Sequence, residues 1–193
     1  MRLALLSLLT IVLLPTPSKA QVPVFKTTPE DSSINFYVKA SVALVGKFDK
    51  WDASLKFTSS DVTTGVLDIR IAAATVNTGS GMKDKKLKSK DFFDAEQSPS
   101  ITFHSTKVVQ TGPESFDVFG NFSIRGVSKP ETLKLTVSGK GTGTGVIKGA
   151  MAFDRKDYGM TSGIPFVKIA DRVEVDVDLK VEQVSGPRLV YKQ

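Results

Sequence analysis

The sequence predicts an all-β fold: eight antiparallel strands closed into a barrel, with one short helix between the third and fourth strands. Three observations carry this reading. Apolar and polar residues alternate with a period of two over most of the chain beyond residue 32. Most alternating segments are joined by short stretches rich in Gly, Thr and Pro (63–65, 111–114, 125–127 and the Gly-rich 139–145), which suit antiparallel neighbours. The 193 residues include no Cys, so no disulfide can replace a packed interior.

The first twenty residues stand apart. Met1 and Arg2 give a positive start, and residues 3–14 are Leu, Ile, Val and Ala broken only by Ser7 and Thr10. Pro15 and Pro17 interrupt any helix, and Ser18 and Ala20 place small residues where a signal peptidase reads. A secretory signal cut after Ala20 is expected, and with it a periplasmic location. As a helix the apolar run spans about 18 Å, short of the roughly 30 Å hydrocarbon core of a membrane. Loss of Arg2 and Lys19 leaves 24 basic against 20 acidic residues. That mild excess does not point to nucleic acid, which requires clustered positive charge and base-stacking aromatics. The remaining single domain, 21–193, is long enough to build a core.

In the first strand, 33–39, Ile34, Phe36 and Val38 oppose Asn35, Tyr37 and Lys39. In the second, 46–57, Trp51, Ala53, Leu55 and Phe57 are in phase while Phe48 is not, so a bulge or bend is expected near Asp49 and Lys50. In the third, 66–73, Leu67, Ile69, Ile71 and Ala73 oppose Asp68 and Arg70. Residues 77–99 lose the alternation and carry helix formers, which gives the helix and its loop. The fourth strand, 100–109, has Ile101 and Phe103 in phase, then Val108 and Val109 side by side. The fifth, 115–124, presents Phe116, Val118, Gly120, Phe122 and Ile124 on one face. The sixth, 132–139, presents Leu133, Leu135 and Val137, and the seventh, 146–153, Ile147, Gly149, Met151 and Phe153. A second long connection, 158–171, leads to the eighth, 172–182, where Val173, Val175, Val177, Leu179 and Val181 face away from five charged residues. A turn of 3.6 residues would mix those two sets.

Such strands stack as two sheets or close as a barrel. Closure removes the edges that otherwise aggregate, and eight strands leave room for one small ligand. A membrane-spanning barrel would put nearly every Lys, Asp and Glu into the lumen, and three Tyr and one Trp are too few for two aromatic girdles. By parity, the cavity is expected to be lined by Ile34, Phe36 and Val38, by Leu55 and Phe57, and by Ile69 and Ile71. From the later strands it takes Phe103, then Val118, Phe122 and Ile124, then Leu135, then Met151 and Phe153, and last Val175 and Val177. These are expected to enclose one continuous apolar space.

Chemistry-bearing motifs are sparse. The only His, His104, falls on the outward parity, and no nucleophile elbow accompanies it. A single His and no Cys exclude a multi-histidine or thiolate metal centre, and no metal, cofactor or catalytic group is expected. The glycine run 139–145 is followed by a strand, not the helix that a phosphate loop needs. Asp154, Asp157 and the alternating acids 174–178 read as solvated faces. Residues 83–90 carry five Lys, and Lys83, Lys85 and Lys86 are candidates for contact with a lipid headgroup or a transient contact with an anionic membrane surface. Phe92 and Phe93, with Ile164 and Phe166 in the second long connection, are expected either to plug the core or to cover a ligand entrance.

Several stretches, in order and spacing, resemble the YceI-like family of exported polyisoprenoid-binding proteins. They are Ser33-Ile34-Asn35-Phe36, Gly46-Lys47-Phe48, the segment 84–94 that ends in Phe92-Phe93-Asp94, Pro99-Ser100-Ile101-Thr102-Phe103, the segment 120–130 from Gly120-Asn121-Phe122 to Pro130, and Arg155-Lys156-Asp157-Tyr158-Gly159. The resemblance implies a lipocalin-like barrel that holds an isoprenoid lipid, quinone-like or polyprenyl, without catalysis. Many members carry a His after the first strand and another before the helix Leu; Ala40 and Lys86 stand there in this chain, so no role of those histidines carries over. An enzyme acting on an isoprenoid or quinone, with His104 or Asp157 in the barrel mouth, and a purely structural domain with a filled core remain the alternatives. A homodimer also remains open.

Overall fold

The computed structural model describes residues 21–41, 43–163 and 169–192. The expected signal segment, and Ile164 and Phe166 of the expected lid, lie outside the described residues.

One antiparallel sheet of eleven segments runs through the chain. They are β1 (Val24–Thr27), β2 (Ser33–Ala40), β3 (Leu44–Phe48), β4 (Trp51–Lys56), β5 (Val66–Ala72) and β6 (Val76–Asn77) before the helix α1 (Gly81–Lys88). After it come β7 (Ser100–Gln110), β8 (Ser115–Ile124), β9 (Val127–Ser138), β10 (Thr144–Asp154) and β11 (Ile169–Ser185). The segments resolve into eight staves. β1 and β2 lie end to end along one edge of β11, the first against 181–185 and the second against 169–178. β3 and β4 are two halves of the next stave, bent at Asp49 and Lys50 where the parity slips; β3 pairs with β2 and β4 with β5. From β5 to β11 each long strand pairs with the next, and β11 returns to β1 and β2, which closes the barrel.

Two local devices set the parity. Arg125 (φ 56°) and Gly126 (φ 74°) both occupy the left-handed region, as a two-residue hairpin turn requires, so β9 begins at Val127 and not at the expected residue 132. In β7 the register shifts between Ser105 and Lys107. Ser105 keeps the inward position, buried, and its hydroxyl accepts from the Leu67 amide at 2.8 Å. The extra residue turns Val108 inward, which accounts for the adjacent valines.

Each end of the barrel is covered. At one end, α1 buries Leu87, and Asp84 accepts from the Thr78 amide (2.8 Å) and hydroxyl (2.6 Å). The Arg125 guanidinium donates to the Gly159 and Lys90 carbonyls, tying together the two long connections at that end. At the other end residues 186–192 form a strap. The Val190 amide donates to the Ser60 carbonyl (2.8 Å), the Val62 amide to the Val190 carbonyl (3.1 Å), and the Gln110 side chain accepts from the Lys192 amide (2.7 Å) and donates to the Lys192 carbonyl (2.9 Å).

Candidate functional site

The inward residues enclose two apolar cavities, not the one continuous space expected. The first, about 100 Å³, lies toward the strap. Leu55, Phe57, Val118 and Leu135 line it, and Phe25, Leu189 and Tyr191 add to it from β1 and the strap. The second, about 60 Å³, lies toward α1 and is lined by Ile34, Phe36, Val38, Ile71, Phe122, Ile124, Phe153 and Val175.

A belt divides them. Along β5 the inward series runs from Leu67 (first cavity) through Ile69 to Ile71 (second). Along β8 it runs from Val118 through Gly120 to Phe122, and along β11 from Val181 through Leu179 and Val177 to Val175. Ile69, Phe103, Val177 and the half-buried Met151, all expected as lining, belong to neither cavity. The physical reason is the missing Cβ at two inward positions. A methyl group on Gly120 would stand 2.7 Å from Phe103 Cζ and 2.6 Å from the His104 carbonyl oxygen. One on Gly149 would stand 2.7 Å from Leu135 Cδ2 and 3.2 Å from Leu133 Cδ1. The phenyl and leucyl groups therefore settle against bare backbone and fill mid-barrel.

Phe92 and Phe93 are buried and close the second cavity from the α1 side. Phe93 meets Phe36 edge-on at 6.2 Å and Phe48 at 5.8 Å, so its ring is part of the core. Lys83 and Lys85 project from α1 into solvent, Lys86 pairs with Asp91 at 2.6 Å, and none of the three lines a cavity.

Parity reasoning could not find Arg155, which sits just past the end of β10 yet is buried and lines the second cavity. Its guanidinium pairs with Asp171 at 3.0 Å and donates to the carbonyls of Met160, Ser162 (3.0 Å) and Ala170 (3.3 Å). These four contacts hold the second long connection in place. Lys156, at 2.7 Å, and Arg155 together hold the Asp171 carboxyl below the usual 3.8. Because the folded value is the lower one, this pairing contributes stability above the unfolded value and loses it as pH falls through the folded one. The melting temperature of Asp171→Asn should therefore lie below the wild type at neutral pH, with the gap closing below pH 3.8. A gap that stays constant into acid would show that the charge plays no part.

The chemistry-bearing residues do not converge. His104 Nδ1 lies 2.5 Å from Asp68 Oδ1 on the outer surface, both side chains well exposed. Asp157 pairs with Lys129 at 3.3 Å, also outside. Tyr158 is buried and donates its hydroxyl to Glu131 at 2.9 Å; burial pushes its pKa up, and the neighbouring Glu131 adds to that. No group of three or more potential metal ligands occurs among the described residues.

The structure is an up-and-down eight-stave barrel with an apolar interior, an architecture whose interior is either filled by side chains or holds one small ligand. Residues 25–181 match the YceI-like domain, and the chain belongs to that family. A UPF0312 protein of Shewanella denitrificans is 32% identical over 182 residues, covering 90% of this chain and 93% of that protein. Among solved structures, Burkholderia cenocepacia BcnA superposes with a TM-score of 0.73 at 26% identity, over 80% of this chain and 99% of that one. A polyisoprenoid binding domain from Saccharophagus degradans, implicated in plant cell wall breakdown, shares the fold with a TM-score of 0.67 at 17% identity, over 83% of this chain and 99% of that one.

Proposed function

We propose that this chain is an exported, periplasmic binding protein that holds an isoprenoid lipid, quinone-like or polyprenyl, along the barrel axis without changing it chemically. Residues 1–20 serve as its cleaved signal and 21–193 as the binding domain. The observation that carries the reading is the interior itself: a closed barrel whose two cavities are stacked end to end, apolar on their walls, with no carboxylate or His side chain among the described residues that line them. Each buried CH₂ of a tail contributes about 0.8 kcal/mol, so such a channel binds a long hydrocarbon without a polar constellation. The described polyisoprenoid binding of a protein with the same fold is consistent with this ligand. An apolar cavity of roughly 150 Å³ takes up a molecule the size of benzene. Neither cavity alone therefore accommodates several isoprene units, and a tail has to pass the Phe103 belt.

The test is uptake by the delipidated protein of a polyprenyl lipid from vesicles, followed by recovery. Saturable uptake and chemically unchanged lipid are expected. A converted product would identify an enzyme, and no uptake would leave a barrel that is merely filled.

A further inference from the structure

The two cavities differ in the charge at their mouths. In the second, the only charged lining residue among the described residues is Arg155, and its guanidinium is engaged by Asp171 and three carbonyls. The first cavity has two charged lining residues, Lys140 and Arg188, both cations. Arg188 is exposed on the strap and makes no ion pair or side-chain hydrogen bond among the described residues. Its Nη1 lies 3.9 Å from where a Cβ on Gly141 would stand, so it reaches across to the glycine loop that carries Lys140. Lys140 lies over the Tyr191 ring at 4.7 Å and donates to the Pro113 carbonyl, but it has no carboxylate partner among the described residues. Of the carboxylates on neighbouring elements, Asp61 accepts from the Thr63 amide and hydroxyl, Glu182 pairs with Lys26 at 2.9 Å, and Glu114, next to Pro113, forms no ion pair with Lys140 or Arg188 among the described residues.

We propose that this mouth, between the 139–145 loop and the 186–192 strap, is a headgroup site for a singly tailed anionic amphiphile, with Arg188 and Lys140 on the anion and the tail directed toward α1. The inference rests on the lipid-binding reading. Uncompensated cations at the rim of an apolar cavity meet both halves of such a molecule: a guanidinium and an ammonium form charge-assisted hydrogen bonds to phosphate or carboxylate oxygens, while the interior takes the hydrocarbon. The strap also explains how the site can be reached. It is held by a few backbone and amide bonds at its edge, and Leu189 and Tyr191 close the cavity from above, so lifting it exposes the mouth without opening the barrel.

The experiment measures affinity of the delipidated protein for geranylgeranyl phosphate, geranylgeraniol and inorganic phosphate. It uses wild type, Arg188→Gln, Arg188→Gln/Lys140→Gln and Lys83→Gln/Lys85→Gln. Wild type should prefer the phosphate ester over the alcohol by roughly tenfold or more, the effect of one charge-assisted hydrogen bond. The Arg188/Lys140 variant should lose that preference while still binding the alcohol, and Arg188→Gln alone, which breaks no ion pair or hydrogen bond among the described residues, should weaken the preference at an unchanged melting temperature. Retention of the preference in the Arg188/Lys140 variant, or its loss in the Lys83/Lys85 variant, would overturn the assignment. Inorganic phosphate binding as tightly as the ester would identify a free-anion site instead and also overturn it. Binding of the alcohol without any preference rejects the headgroup site alone, whereas no binding of either lipid rejects the lipid-binding reading beneath it.

Discussion

Replacing Phe103 by alanine is expected to join the two cavities into one passage and to lower stability by about 3–5 kcal/mol, the usual cost of removing a buried phenyl group. Phe103 is buried, stands over Gly120 and pairs across the sheet with Ile69 and Phe122. No neighbouring stave supplies a Cβ at Gly120 to fill the space, so the site has little means to collapse. The same vacancy should help a ligand. If a tail must displace the Phe103 ring to span both cavities, the variant should take up long polyprenyl chains at least as tightly as wild type despite its weaker fold. Urea denaturation with and without lipid reads both effects. Loss of stability with loss of lipid uptake would show that Phe103 is part of the wall and not a barrier across the channel.

Phe122→Asp should have the opposite signature, loss of both stability and binding. The ring is buried in an aromatic cluster with Phe153 at 5.0 Å and Tyr158 at 5.5 Å, and it lines the second cavity. A carboxylate there meets no compensating cation, since Arg155 is already paired with Asp171. An isolated charge of this kind ionises only at a cost of several kcal/mol, or shifts its pKa and stays neutral. The variant should unfold or melt far below wild type at neutral pH and recover partly in mild acid, where the carboxyl is neutral. A variant that melts like wild type would mean that Phe122 does not face the interior.

The barrel was legible because burial on one face of a strand imposes a period of two, and β2, β5, β8 and β11 obey it almost without exception. Even the bend at Asp49 and Lys50 announced itself through the out-of-phase Phe48. The shift in β7 was visible as two adjacent valines but could not be placed, since only the bond from the Leu67 amide shows that Ser105 holds the inward position. The division of the interior was hidden for a different reason. Parity tells which residues point inward, but not how far a side chain reaches across the barrel, and nothing in the sequence shows that Gly120 receives Phe103 or that Gly149 receives Leu135 and Leu133. The strap escaped because residues 186–192 carry no period at all; Leu189 and Tyr191 find the first cavity only through contacts with Ser60, Val62 and Gln110, far away in the chain. The burial of Arg155 has no signature in the sequence because its partners, Asp171 and three carbonyls, come from an irregular connection.

The central claim, that the barrel holds an isoprenoid lipid, is tested most directly by purifying the protein from its native host without detergent, extracting it with organic solvent and analysing the extract by mass spectrometry. Close to one isoprenoid lipid per chain is expected, with a tail longer than either cavity alone can hold, and much less in Phe122→Asp. Protein that yields no lipid, or that yields only polar molecules, would contradict it.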